Sequence, residues 1–132
     1  MEHRDNNVVL LVLSRRVIAE LLIGSIKALG NIEAHGIYEY KYAVINTASR
    51  KPNIALVEIP EKDGTPALDT LKICDGIKNE RPECKIILIC PECDKESVQT
   101  CIEAKKKGRI EDFLFYDSSV NYLVSKIEAL CP

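Results

Sequence analysis

Apolar residues along this chain fall into two alternating patterns. Residues 8–13 form a continuous run of Val and Leu, as a strand buried on both faces requires. After it Ile18, Leu22, Ile26 and Leu29 recur at helical spacing, with Ser14 as candidate N-cap and Gly30 as candidate C-cap. Residues 31–37 predict a weak second strand containing His35 and Gly36, and 39–49 a helix with Tyr42, Ile45 and Ala48 on one face. Pro52 closes that segment and launches a strand over 54–58 that ends in a carboxylate, Glu58. Residues 63–66 predict a turn and a helix start, with Thr65 as cap and Pro66 at the first helical position. The third helix carries Leu68, Leu71, Ile73, Cys74 and Ile77 and stops before Pro82. A fourth strand over 85–89, a loop over 90–94 and a helix over about 95–107 follow, closed by Gly108. Residues 111–115 predict a short fifth strand. Ser118 or Ser119 caps a last helix that turns Val120, Leu123, Val124, Ile127 and Leu130 inward.

Five strand–helix alternations without repeat or linker predict one α/β domain over 1–132, its core spanning about 8–130. Parallel strands need helical, right-handed crossovers, so the expected architecture is a three-layer, doubly wound, five-stranded parallel sheet. In such sheets ligands bind beyond the strands' C-terminal ends, which is where Glu58 falls. The first helix lacks a Gly-x-Gly-x-x-Gly opening, which argues against a dinucleotide site.

At 132 residues the chain can bury one sizeable core, and 46% apolar with 29% charged residues is an ordinary globular balance. A formal net charge of −2, no Trp and two Phe give no electrostatic or stacking case for direct nucleic-acid contact. The polar N-terminus and the short first apolar run fit neither a signal peptide nor a membrane span, so a cytoplasmic location is expected. The six cysteines are then expected as reduced thiols.

The segment Pro52-Asn53-Ile54-Ala55-Leu56-Val57-Glu58-Ile59-Pro60, with Asp63-Gly64 after it, carries a resemblance. It is similar to the pattern around the phospho-accepting Asp of the CheY-like receiver domains of two-component response regulators. Arg109-Ile110-Glu111-Asp112-Phe113-Leu114 likewise resembles that family's Gly-Ala-Asp-Asp-Tyr-Leu. The likeness spans roughly residues 8–130 and implies the flavodoxin-like, CheY-like (βα)5 fold. It breaks at the working positions. Glu58 stands where the family has its nucleophilic Asp, and Leu13 and Ser14 stand where it has the acidic pair that holds Mg²⁺. Cys90 replaces its Thr or Ser, Tyr116 its Lys, and Asp117 the following cis-Pro. One isolated carboxylate cannot supply a magnesium site, and a phenol cannot pair with a phosphoryl group as an ammonium does. The resemblance therefore implies a degenerate receiver, a non-enzymatic module without cofactor or metal. It would act by protein contact, independently of phosphorylation, on an attached or separate output module, for example a transcription regulator.

Other features leave alternatives open. Glu58 could mimic a phosphorylated Asp, or be a buried acid satisfied by backbone N–H groups or by Tyr116. Cys90-Pro91-Glu92-Cys93 at a helix start could support thiol redox exchange or metal sensing. Against zinc, Cys84 and Cys90 flank one strand and stand about 20 Å apart. The run Lys105-Lys106-Lys107-Gly108-Arg109 reads as a solvated helix end or a contact site. His3 and His35 are isolated. Tyr38, Tyr40 and Tyr42 alternate, with Tyr42 expected in the core and the other two partly exposed, an aromatic contact patch being the alternative. From the resemblance, a face made by the fourth helix, fifth strand and fifth helix would meet an output partner or a second copy, with Lys106, Arg109, Tyr116 and Tyr122 as contacts. An atypical phospho-acceptor using Asp63 or Ser14 is the remaining reading. The closing Cys131-Pro132 fits a chain that continues into another domain.

Overall fold

The structure, a computed structural model, describes residues 7–62 and 64–132. The proposed acceptor Asp63 and the isolated His3 lie outside the described residues. Strands β1 (Asn7–Val12), β2 (Ile32–Ile37), β3 (Ile54–Glu58), β4 (Lys85–Cys90) and β5 (Asp112–Phe115) form one parallel sheet in the order β2-β1-β3-β4-β5. Helices α1 (Arg16–Lys27), α2 (Ala43–Arg50), α3 (Pro66–Glu80), α4 (Lys95–Lys106) and α5 (Val120–Leu130) connect or follow them. The doubly wound (βα)5, flavodoxin-like fold expected from the sequence is the fold observed.

The continuous apolar strands have two inner faces. Val9, Leu11, Leu13, Leu56 and Ile87 pack with Ala19, Leu22 and Ile26 of α1 and Leu123 and Ile127 of α5. Leu10, Val12, Val57, Ile86 and Leu88 point the other way, toward Leu71, Cys74 and Ile77 of α3 and Cys101 and Ala104 of α4. Successive residues of the central strands alternate between these two layers, so residues 8–13, 54–57 and 86–89 are apolar throughout.

Several local expectations are corrected. Ser14 does not cap α1; Arg15 occupies the cap position and makes no side-chain cap bond. The Ser14 hydroxyl is drawn instead to Glu58. Thr65 makes no cap bond either, although Pro66 does open α3. The second helix is preceded by a 3₁₀ turn over Tyr40–Tyr42, which shifts its phase. Ala43 and Thr47 face inward, while Tyr42 and Ile45 are exposed. Thr47 tolerates burial because its hydroxyl donates to the Ala43 carbonyl oxygen at 2.8 Å. Leu68 is exposed rather than buried. Ser119, not Ser118, caps α5, accepting from the Tyr122 N–H at 3.1 Å. Asp94 caps α4, accepting from the Glu96 and Ser97 N–H groups.

Candidate functional site: the carboxylate at the tip of the central strand

The strand order reverses between β1 and β3, and the crevice above that reversal is where open α/β sheets hold ligands. Val12 pairs with Val57 there, so the chain leaving β1 passes directly beside Glu58. Glu58 is 1% exposed. A buried carboxylate must find donors or a counter-charge, and this one has both. Its Oε1 accepts from the Ser14 N–H at 2.9 Å, the Ser14 hydroxyl at 2.8 Å and the Arg15 N–H at 3.3 Å. Its Oε2 accepts from Arg15 Nε in an ion pair.

Two phenols close the sides. Tyr40 donates to the Glu58 carbonyl oxygen and Tyr116 to that of Ile59. The Arg15 guanidinium carbon lies 4.5 Å from the centre of the Tyr116 ring, a cation–π stack that holds the ion pair from above. Burial first, and the Glu58 charge second, push both phenols well above the ordinary range, so each remains a neutral donor. Leu13 is fully buried among the apolar residues under α1 and α5 and presents nothing to the site. Cys90 is buried at the end of β4; its thiol reaches the Pro91 carbonyl oxygen at 3.6 Å.

The structure thus brings Glu58, Ser14 and Tyr116 together, leaves Leu13 and Cys90 in the core, and adds two residues that sequence reasoning missed. Tyr40 stood out only as one of three alternating tyrosines, because its role depends on how β2 delivers the chain to the sheet edge. Arg15 directly follows the two positions where receivers carry acids, and that adjacency could have found it. A cleft of about 250 Å³ lies beside the site, lined in part by Ser14, Tyr38, Tyr40, Pro60 and Pro66, but Glu58 does not open into it.

The remaining candidates are dispersed. Cys93 is exposed, whereas Cys90 shares a side-chain hydrogen bond with Cys101 of α4, which lowers Cys90 and raises Cys101. Cys84 and Cys90 sit at opposite ends of β4. Among the described residues no group of three or more His, Cys, Asp or Glu side chains is placed to hold a metal ion. Arg109 forms a two-pronged pair with Asp75 of α3, at 3.2 and 2.8 Å, and so faces α3 rather than α5. Lys106 and Tyr122 are exposed. Between them Asp112 binds Lys105 of α4 at 2.9 Å and Lys126 of α5 at 2.6 Å. No helix among the described residues is long and apolar enough to cross a membrane.

No family model matches the sequence, and no curated protein matches it either. Solved structures do match in fold. A two-component response regulator from Clostridium difficile superposes with a TM-score of 0.76 at 20% identity, over 95% of this chain and 95% of that one. A response regulator from Thermotoga maritima gives 0.74 at 14% identity, over 95% and 97%. The signal receiver domain of a modulated diguanylate cyclase from Desulfovibrio desulfuricans G20 gives 0.70 at 23% identity, over 96% and 94%. The fold is that of CheY-like receiver domains.

Proposed function

We propose that this protein is a receiver-like signalling module that works by protein contact and takes up neither phosphate nor magnesium. The supporting observation is the ion pair of Arg15 with a fully buried Glu58, whose oxygens already accept from Ser14 and Arg15. A phosphoryl acceptor needs an accessible oxygen with a metal or cation free to neutralise the incoming group. Among the described residues the one cation at the carboxylate is already paired with it, and the neighbouring position offers a hydroxyl in place of acids. The chain carries its own positive charge where the resemblance calls for a divalent ion. Fixed in this way, the carboxylate acts as a structural tie between β1 and β3 and holds the switch-point loops in one arrangement.

Signalling would then depend on surfaces such as the one formed by α4, β5 and α5, where Lys106 and Tyr122 stand clear and Tyr116 lies at the upper edge. The partner would be a protein or an attached output module, as the receiver of the diguanylate cyclase is part of a larger protein. Incubation with a small phosphodonor and Mg²⁺, followed by intact-mass measurement, tests the reading. An unchanged mass is expected; a stoichiometric phosphoryl adduct on Glu58, Asp63 or Ser14 would overturn it. Repeating the measurement after mild oxidation addresses the thiol alternative, which requires a reversible Cys90–Cys93 bond that alters partner binding.

A further inference from the structure

Helix α1 is apolar on two opposite sides. Its inner side gives Ala19, Leu22 and Ile26 to the core. Its outer side carries Val17, 70% exposed, and Leu21, 55% exposed. Gly24 and Ala28, also exposed, continue the same side. At 3.6 residues per turn these four positions fall within an arc of about 60°, turned away from Leu22 and Ile26. A surface helix normally carries one apolar stripe, directed at the core. A second, outward stripe marks a contact surface.

We propose that α1 is covered by α1 of a second copy of this chain, packed antiparallel about a two-fold axis near residues 22 and 23. The stripe is symmetric about that point. Val17 and Ala28 are equally distant from it, and so are Leu21 and Gly24. The axis therefore sets Val17 of one copy against Ala28 of the other and Leu21 against Gly24. A Cβ added at Gly24 would meet nothing within 4 Å, so the bare backbone there leaves open space for the leucine. The charges follow the same symmetry only approximately, Glu20 of one copy and Lys27 of the other being offset by two residues, about 3 Å along the axis. Glu20 and Lys27 are exposed along one edge of the stripe. A two-fold axis perpendicular to the helix pair keeps that edge on the same side in both copies. Each Glu20 then comes within reach of Lys27 across the interface, twice over. A self-complementary pattern of apolar, small and charged positions is what an isologous interface requires, and an unrelated partner has no need of it.

The proposal rests on the contact-module reading only in supplying its partner. A phosphoryl adduct would end that reading and leave the dimer untouched, and a monomer would do the reverse. Sedimentation of the full chain between about 1 μM and about 1 mM covers the affinities expected of such an interface. A concentration-dependent dimer is expected, and Leu21→Glu, at an exposed site, makes it monomeric. Glu20→Lys and Lys27→Glu should each weaken it about five- to ten-fold, since each places like charges together at two symmetric points. Combining the two exchanges should restore the wild-type affinity to within about two-fold, an outcome that misfolding cannot produce. Tyr122→Ala, on the neighbouring surface formed by α4, β5 and α5, should leave the dimer intact. A monomer at every concentration, a dimer that survives Leu21→Glu, failure of the double exchange to restore affinity, or loss of the dimer in Tyr122→Ala would each overturn the proposal.

Discussion

Glu58 and Arg15 form a closed ion pair at the point where the strand order reverses. A carboxylate with 1% exposure survives only with donors on both oxygens, and removing its cation leaves a buried charge behind. Arg15 is partly exposed, which moderates the effect, so Arg15→Ala is expected to cost about 1–2 kcal/mol in urea unfolding. In a Glu58→Gln background, where no charge needs pairing, the same change should cost less than half as much. The cysteines make a second residue-scale test. Cys74, Cys84, Cys90 and Cys101 are buried, and burial pushes the Cys74 and Cys84 thiols up to about 12. A water-soluble disulfide reagent at neutral pH should label Cys93 quickly, Cys131 slowly and the other four only after unfolding. At this scale the sequence was readable for Glu58, because an apolar run ending in a carboxylate before a proline has one plausible location. It placed Tyr116 at the site but not its bond, and it was unreadable for the role of Tyr40: both hydroxyls bond backbone carbonyls of β3 and the residue after it, contacts that no local pattern encodes.

Elements were legible where one pattern dominated. The strands' unbroken apolar runs could only belong to a sheet covered on both faces, and the observed strands agree with the expected ones to within a residue or two. The second helix was misread in its facing, since Tyr42 and Ile45 look like a core stripe until the 3₁₀ turn rotates them into solvent. Contact between α2 and α3 then depends on Gly76. A Cβ there would lie 2.8 Å from Val44 Cγ2, a stiff β-branched partner. Gly76→Ala should therefore lose about 1 kcal/mol net, overpacking exceeding the gain in helix propensity, and Val44→Ala should reverse the sign of the effect. Thermal unfolding of the four variants decides this.

The other inter-element tie is Asp112, which joins α4, β5 and α5 through Lys105 and Lys126. Burial opposes its ionisation, yet the two lysine hydrogen bonds and the Phe113 N–H together hold its carboxyl down at about 2, below the ordinary 3.8. A carboxyl lowered on folding contributes stability above its unfolded value and loses it as pH falls through the folded one. Asp112→Asn is thus expected to cost about 1–2 kcal/mol at neutral pH. That difference should shrink between roughly pH 4 and pH 2, as read by urea unfolding at each pH.

Seen whole, the molecule has the fold of receiver domains and carries an internal ion pair at the point where the strand order reverses. The framework could be inferred from the order of strands and helices. The ion pair was visible only in part: Leu13 and Ser14, where the resemblance calls for acids, stand in the sequence, but not that the next residue turns back to pair with Glu58. Two consequences follow at this scale. The loops after β1 and β3 are tied together without any ligand, so the arrangement they hold should be the same in every signalling condition. On the function proposed above, information then passes through what touches the surface.

The central claim is that Arg15 occupies the site a divalent ion and a phosphoryl group would need. Amide resonances of Ser14 and Arg15, whose N–H groups both donate to Glu58, report on that site directly. Titrating the protein with Mg²⁺ and beryllofluoride, a phosphoryl mimic, should leave both resonances in place. Saturable shifts of the two together would show the carboxylate exchanging its arginine for a metal and would contradict the account.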